Sequence, residues 1–415
     1  MEKNHNKLLN RRLILVLLSV ACEFYLFTIF IVLSPYISRD LIPIADKEWR
    51  ELFGLCIFLI AGFCRPLGGI LFSGLGDSPH RYKIFYISTV IMSFSSIMLG
   101  LLPSADNIGV IAPFLLILIR IVQGLVVGAE IPEGMIYSYE EAAIHLRVLA
   151  TNLINIACSC GFLIASLFTL LLSNYLGEET WRFGMVGCGL FSLVVGFFLK
   201  DSFSGEVSHT KVNFVPLKGV LKNHKLNLLR LICFATFLTS GTSVFIYLMP
   251  SYLNHYFNYT KLQTHIISLF EIMGFISGQL IAAFFHEKLS KNFFITSGFF
   301  FKALLVFTFH SYIRHDIFVV TGLNTLCCFI FGFFVAKLPV IMICSFPRQM
   351  RFSGVSIVYN ISFGVMFGVS HYAITWLIQL TKSLYMPSVY IVFFSYVSLI
   401  SLWFMSKEVF FKYNR

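Results

Sequence analysis

Charge is scarce in this 415-residue chain: Asp, Glu, Lys and Arg together make up 12% of it, about half the share of an ordinary soluble domain. With 57% hydrophobic residues, the chain could not cover itself with polar surface in water. In a bilayer that requirement disappears, because the solvent is itself apolar. Chemistry-bearing motifs are scarce too. There is no GxxxxGK[ST], so ATP is not an expected partner. There is no HExxH and no GxSxG, so an intramembrane hydrolase has no foothold. CxxC pairs and His/Cys clusters with metal-ligand spacing are also absent. No enzyme activity, no cofactor and no metal are therefore expected.

The ten Cys include Cys56, Cys158, Cys160, Cys188, Cys233, Cys327 and Cys344 inside apolar runs, where they read as small buried hydrophobes. The net charge of +11 would suggest nucleic acid in a soluble chain. Here it has a topological reading, and nucleic acid is not an expected partner.

What the chain does have is long apolar runs and 47 Phe, suited to a surface that faces lipid. A bilayer core takes roughly 20 apolar residues per helix. At that length the runs fall near 13–33, 51–74, 84–103, 111–131, 149–174 and 183–200, then 227–250, 262–286, 293–312, 317–341, 352–380 and 386–405. The reading is an all-α membrane protein of twelve transmembrane helices: a six-helix bundle over 1–200, a central loop over 201–226 and a second bundle over 227–415. The polar, basic start before Leu13 has no clear cleavage site and reads as the lead into a first helix, not a removed signal.

Lys3, Lys7, Arg11, Arg12, Arg81, Lys83, Lys218, Lys222, Arg348, Arg351, Lys407 and Lys412 fall on one side of this arrangement. The positive-inside rule makes that side, with both termini, cytoplasmic. Six plus six with a central loop fits two pseudo-symmetric bundles with a substrate site near the midplane.

Ionisable groups inside the membrane cost ~2.5–3.5 kcal/mol each on insertion scales, so each is a functional candidate. The helix interiors offer Glu23, Arg65, Arg120, Glu130, Glu271, Lys302 and Lys337. At 1.5 Å per residue, Glu23 lies roughly 15 Å from the cytoplasmic side and Arg120 roughly 12 Å from the other. In a core of ~30 Å the two reach one depth. An acid beside a guanidinium can tie proton release to conformation, so Glu23 and Arg120 are the expected proton-coupling pair; a static packing pair is the other reading. Arg65 and Glu130 fall nearer the cytoplasm, as gate or packing residues. Glu271 and Lys302 reach similar depth and are expected to neutralise each other. Lys337 is expected to snorkel to the inner surface. Gly124 and Gly128, four apart, allow close helix contact, as do Gly68, Gly69 and Gly74. Gln123 then either faces substrate or bonds across helices.

Three stretches carry a resemblance: RPLGGILFSGLGD from Arg65 to Asp77, IRIVQGLVVGAE from Ile119 to Glu130 with YSYEEA from Tyr137 to Ala142, and FPRQMRFSGVSIVYN from Phe346 to Asn360. Together they resemble the major facilitator superfamily, and within it the metabolite:proton symporters of the proline/betaine transporter branch. That resemblance implies a multi-pass protein of a bacterial inner membrane, moving a small polar metabolite (an osmolyte, amino acid or carboxylate) by alternating access, with protons as co-substrate. It implies a cytoplasmic charge clamp from Asp77, Arg81 and Lys83, extended by Glu140 and Arg147 in the loop after the fourth helix. It supports the pairing of a helix-1 acid with a helix-4 Arg, and implies that Tyr359 and Asn360 line the substrate cavity, where Tyr25 and Gln123 are further candidates. The branch commonly has a second acid in helix 1, where this chain has Leu26. An exporter or uniporter of another solute, such as a siderophore or drug, is therefore the alternative.

Overall fold

The computed structural model describes residues 10–78, 82–203, 216–285, 308 and 316–404. Among them, eleven helices are long and apolar enough to cross a membrane. They are α1 (Arg11–Val32), α2 (Lys47–Leu71), α3 (Lys83–Gly100), α4 (Ile111–Glu141), α5 (Ile144–Leu172), α6 (Thr180–Phe203), α7 (Lys225–Phe257), α8 (Lys261–Phe284), α9 (Ile317–Cys344), α10 (Arg348–Thr381) and α11 (Met386–Phe404). Each answers to one of the apolar runs. The run at 293–312, with Lys302, lies outside the described residues except for Thr308. No strand occurs among the described residues.

Local signals set the helix ends. The Asn10 side chain accepts from the Leu13 N–H at 2.7 Å and so begins α1. A capping box of Thr260 and Gln263 begins α8. Asn258 and Lys382 take left-handed backbone conformations where α7 and α10 stop. Pro66 sits inside α2 and Pro132 inside α4; each withdraws one N–H from its helix ladder. Two π-helical turns interrupt the regular helices, Ser243–Leu248 in α7 and Asn360–Val365 in α10.

Burial is inverted relative to a water-soluble protein. Phe63, Leu67, Phe94, Phe183, Phe197, Phe318 and Trp403 are exposed on the periphery, while Ser88, Thr89, Ser93, Ser96, Asn152 and Asn324 are buried. Apolar side chains lose nothing by facing acyl chains, whereas hydroxyls and amides must find partners inside the protein.

The chain forms two compact units. One holds the described residues up to Ser138 together with Ala157–Leu217; the other holds Tyr139–Ile156 together with those from Lys218 onward. The segment 139–156, although early in sequence, groups with the later residues because it bonds to them. Asn152 donates to the Gln279 carbonyl at 2.8 Å, and Arg351 donates to Glu140.

In the first unit, α2 and α4 approach until backbone meets backbone. A Cβ on Gly68 would fall 1.8 Å from the Leu125 carbonyl oxygen, and one on Gly128 would fall 2.0 Å from that of Arg65. Gly124 faces Ala61 in the same way. Of the glycines expected to admit close neighbours, Gly68, Gly124 and Gly128 thus serve a single contact. The second unit repeats the device with α8 and α9: Gly278 lies against the Phe329 carbonyl and Gly332 against that of Phe275. The internal repeat, legible in the sequence only as topology, shows itself here as the same small-residue packing.

Candidate functional site: a buried carboxylate cluster

α1 carries an acid with no hydrogen-bond donor among the described residues. Glu23 is 2% exposed, and neither of its carboxylate oxygens accepts a hydrogen bond among the described residues. The charges that act on it are Glu130 from α4 and Arg65 from α2. The Cys158 thiol of α5 feels the same Glu23 and Arg65 charges. Four helices therefore converge on one small ionisable cluster.

Ser19 lies one helical turn before Glu23 and so on the same face of α1. Its hydroxyl donates to Glu130 Oε1 and lies 2.6 Å from the Thr89 hydroxyl of α3. Thr89 in turn donates to the Phe85 carbonyl, and the Ser88 hydroxyl also reaches the Glu130 carboxylate. A serine hydroxyl has one hydrogen. With that hydrogen committed to Glu130, the one Thr89 hydrogen is shared between the Ser19 oxygen and the Phe85 carbonyl. Glu130 thus sits in a nest of hydroxyls, while Glu23 has none.

Arg120 belongs to a different set of contacts. Its Nη1 donates to Gln123 Oε1 at 2.8 Å, and Gln123 Nε2 donates to the Ser96 hydroxyl at 3.3 Å. The guanidinium lies over the Phe30 ring, 3.7 Å from its centroid. Nε and Nη2 donate to no partner among the described residues. Glu23 and Arg120 form no ion pair. Matched depth did not bring them together, because depth fixes the coordinate along the membrane normal and leaves the helix faces open. The acid meets Glu130 and Arg65 instead, and Gln123 bonds both within its helix and across to α3.

The other expected residues fall into smaller groups. In the second unit, Arg351 Nη1 donates to Glu140 at 2.5 Å and Arg348 Nη2 at 3.4 Å. The Arg147 and Arg351 guanidinium groups lie 4.8 Å and 5.6 Å from the Tyr139 ring centroid, and the Tyr139 hydroxyl is 3.4 Å from Cys344 Sγ. Glu140 and Arg147 are thus neighbours, and the stretch from Phe346 supplies their cations. Asp77 closes the short helix Ser73–Gly76, Lys83 opens α3 in an exposed position, and Arg81 lies outside the described residues. Tyr25 is buried with its ring edge-on to Phe168. Tyr359 stacks on Phe363, and Asn360 donates to the Ser356 hydroxyl at the π turn of α10.

Glu271 does not wait on Lys302 for a partner, since Asn324 of α9 donates to its Oε1 at 2.8 Å. Lys337 is 0% exposed, so it does not snorkel; it sits where α9 turns, ahead of the Leu338–Cys344 segment. The sequence reading missed Ser19, Ser88, Thr89 and Asn324. The one available signal was spacing: Ser19 lies four residues before the helix-1 acid.

The sequence matches the Major Facilitator Superfamily over residues 16–371. The chain belongs to that superfamily. It is a multi-pass membrane transporter rather than an enzyme. It is 25% identical over 414 residues to the glycine betaine/proline/ectoine/pipecolic acid transporter OusA of Dickeya dadantii (strain 3937), covering 93% of this chain and 81% of the relative. It is 26% identical over 406 residues to the proline/betaine transporter of Escherichia coli (strain K12), covering 92% and 80%. Among solved structures it resembles the proton:xylose symporter XylE, with a TM-score of 0.73 at 13% identity over 95% of this chain and 94% of that one. It also resembles a bacterial homologue of the iron transporter ferroportin, with a TM-score of 0.65 at 14% identity over 98% and 99%. These two likenesses concern the major facilitator fold.

Proposed function

We propose that the protein is a secondary active transporter of a bacterial inner membrane, with both termini cytoplasmic. It moves a small zwitterionic or carboxylate metabolite together with protons by alternating access. The observation that carries the proton coupling is Glu23, a carboxylate buried in a transmembrane helix with no hydrogen-bond donor among the described residues. A group left that way is costly as a fixed charge and useless as a structural tie. It is suited to gaining and losing a proton as the cycle exposes it to either side. Arg120 then has another task. Its Nη1 is taken by Gln123, which leaves the Nε–Nη2 edge, the edge whose parallel N–H groups match a carboxylate bidentately. We assign that edge to the substrate carboxylate, a group shared by betaines, proline and organic acids. Tyr25, Tyr359 and Asn360 are the proposed further substrate contacts. The Glu140, Arg147, Arg348 and Arg351 cluster is the proposed cytoplasmic gate tie, with Asp77, Arg81 and Lys83 as the charge clamp.

The test uses purified protein in vesicles with an imposed inward proton gradient and labelled glycine betaine, L-proline and citrate. Gradient-driven accumulation of one of them supports the reading. Uptake that ignores the gradient leaves facilitated diffusion, and the proton-coupled reading is then wrong.

A further inference from the structure

The glycine seams of the two units set a common register. Gly68 on α2 and Gly278 on α8 lie against the backbone of Leu125 and Phe329, and Gly128 on α4 and Gly332 on α9 lie against that of Arg65 and Phe275. Arg120 and Asn324 each stand eight residues before the seam glycine of their helix, Gly128 and Gly332. Asn324 thus holds in the second unit the position that Arg120 holds in the first. Glu271 and Ala61 each stand seven residues before Gly278 and Gly68, and so match in the same way. Where the first unit has a methyl group, the second has a carboxyl. Asn324 donates to its Oε1 at 2.8 Å. Transporters built from two repeats place their coupling-ion sites near the bilayer midplane, the depth expected of Arg120 from the sequence.

Glu271 is 0% exposed, and its Oε2 has no hydrogen-bond partner among the described residues. The titratable groups facing it there are the Cys327 and Cys328 thiols of α9; α5, α7 and α8 add none. Lys302 lies outside the described residues, and a pair with it would hold Glu271 ionised. Without such a pair, an ionised Glu271 sets one neutral donor against a full buried charge, which is a costly state. A protonated Glu271 keeps the Asn324 bond on Oε1 and carries its hydrogen on Oε2. An amide side chain would tie α8 to α9 equally well. What the carboxyl adds is the capacity to bind and release a proton.

We propose that Glu271 is an exchangeable proton-binding site in the second unit, separate from Glu23, with Asn324 as its positioning residue. The site goes beyond the coupling reading, which uses the first unit alone. On uptake, an O–H bond forms on Oε2 while Oε1 goes on accepting from Asn324. On release, that bond breaks, the electron pair stays on the carboxylate, and the proton passes to water when the transport cycle wets the site. The Asn324 amide is neutral in both states and donates in both, so it fixes the carboxyl in place without fixing its charge.

The test is infrared difference spectroscopy of protonated carboxyl groups during a pH titration of the purified protein in lipid nanodiscs, with no substrate present. The expected result is a band that is lost in Glu271→Gln and kept in Glu23→Gln. It bleaches reversibly as the pH is raised. It moves to higher frequency in Asn324→Ala, where the hydrogen bond to the carbonyl oxygen is gone. If no band is lost in Glu271→Gln, Glu271 is ionised, as a pair with Lys302 would make it, and the proposal is overturned. A Glu271 band that persists at alkaline pH marks a fixed neutral acid and overturns it as well. A band lost equally in both Gln variants overturns the separation from Glu23. Should Glu271→Gln fail to fold, Glu271→Asp keeps the acid and must displace the same titrating band; an unchanged spectrum overturns the assignment. Vesicle uptake separates this result from the transport reading. Gradient-independent uptake with a titrating Glu271 band removes symport and leaves the proton site. Gradient-driven accumulation without that band leaves coupling through Glu23 and removes the site.

Discussion

Ser19 on α1 donates its hydroxyl to Glu130 on α4, and it does so one helical turn from Glu23, a buried acid that accepts no hydrogen bond among the described residues. That contact joins the first and fourth membrane helices through a polar bond. It also brings two acids into one electrostatic environment with Arg65. A facilitator that couples solute movement to protons needs a group whose ionisation changes with conformation, and this cluster offers it.

Removing the Ser19 hydroxyl takes away the donor to a buried carboxylate oxygen. Ser19→Ala is expected to cost about 1–3 kcal/mol, read as a lower unfolding temperature in detergent. Thr89→Ser, which keeps its hydroxyl, should stay within about 0.5 kcal/mol of wild type. Equal losses in the two variants would contradict the network drawn around Glu130.

The α2–α4 contact leaves no room for a side chain at Gly68 or Gly128, where a Cβ would fall 1.8 Å and 2.0 Å from backbone oxygens. Gly68→Ala and Gly128→Ala are each expected to destabilise by about 1–3 kcal/mol through overpacking. Gly187, with nothing within 4 Å of its added Cβ, is the control and should tolerate Ala in the same thermal-shift assay.

Arg120 offers its Nε–Nη2 edge to a carboxylate. Arg120→Lys keeps the charge but loses the parallel pair of donors. The expected outcome is a KM for carboxylate-bearing solutes raised roughly tenfold or more, in line with ~1.5–3 kcal/mol for hydrogen bonds to a charged group. Choline has no carboxylate, and any binding of it should be unaffected. Competition assays with glycine betaine and choline check both halves of this expectation.

Glu140 and Arg351 are each largely withdrawn from solvent, with side chains 12% and 16% exposed. Arg351→Ala removes the shorter of the two arginine contacts to that carboxylate and is expected to cost about 1–3 kcal/mol. The exchanged pair, Glu140→Arg with Arg351→Glu, should recover part of that loss. A double-mutant cycle followed by thermal unfolding measures the coupling, and a value near zero would remove this pair as a structural tie.

The fold was legible because hydrophobic length is a one-dimensional signal, and eleven of the apolar runs became spans without any tertiary information. The glycine contacts were half legible: Gly68, Gly124 and Gly128 stood out, but which helices they joined did not. The acid–base pairing failed at the same point. Glu23 and Arg120 share a depth, yet the rotation of each helix decides the partner, and a membrane helix with only a few polar residues carries no periodic polar stripe to report that rotation. Ser19 and Thr89 were hidden because a lone hydroxyl in a membrane helix ordinarily bonds its own backbone, as Thr28 does to the Phe24 carbonyl.

The measurement that bears most directly on the account is accumulation of labelled glycine betaine, L-proline and citrate in vesicles under an inward proton gradient, with wild type and Glu23→Gln side by side and solute exchange at equal pH as the control. The account predicts that the wild type concentrates at least one of these solutes, and that Glu23→Gln exchanges that solute at close to the wild-type rate but no longer concentrates it. Concentrative uptake that persists in Glu23→Gln, or wild-type uptake that ignores the gradient, would contradict it.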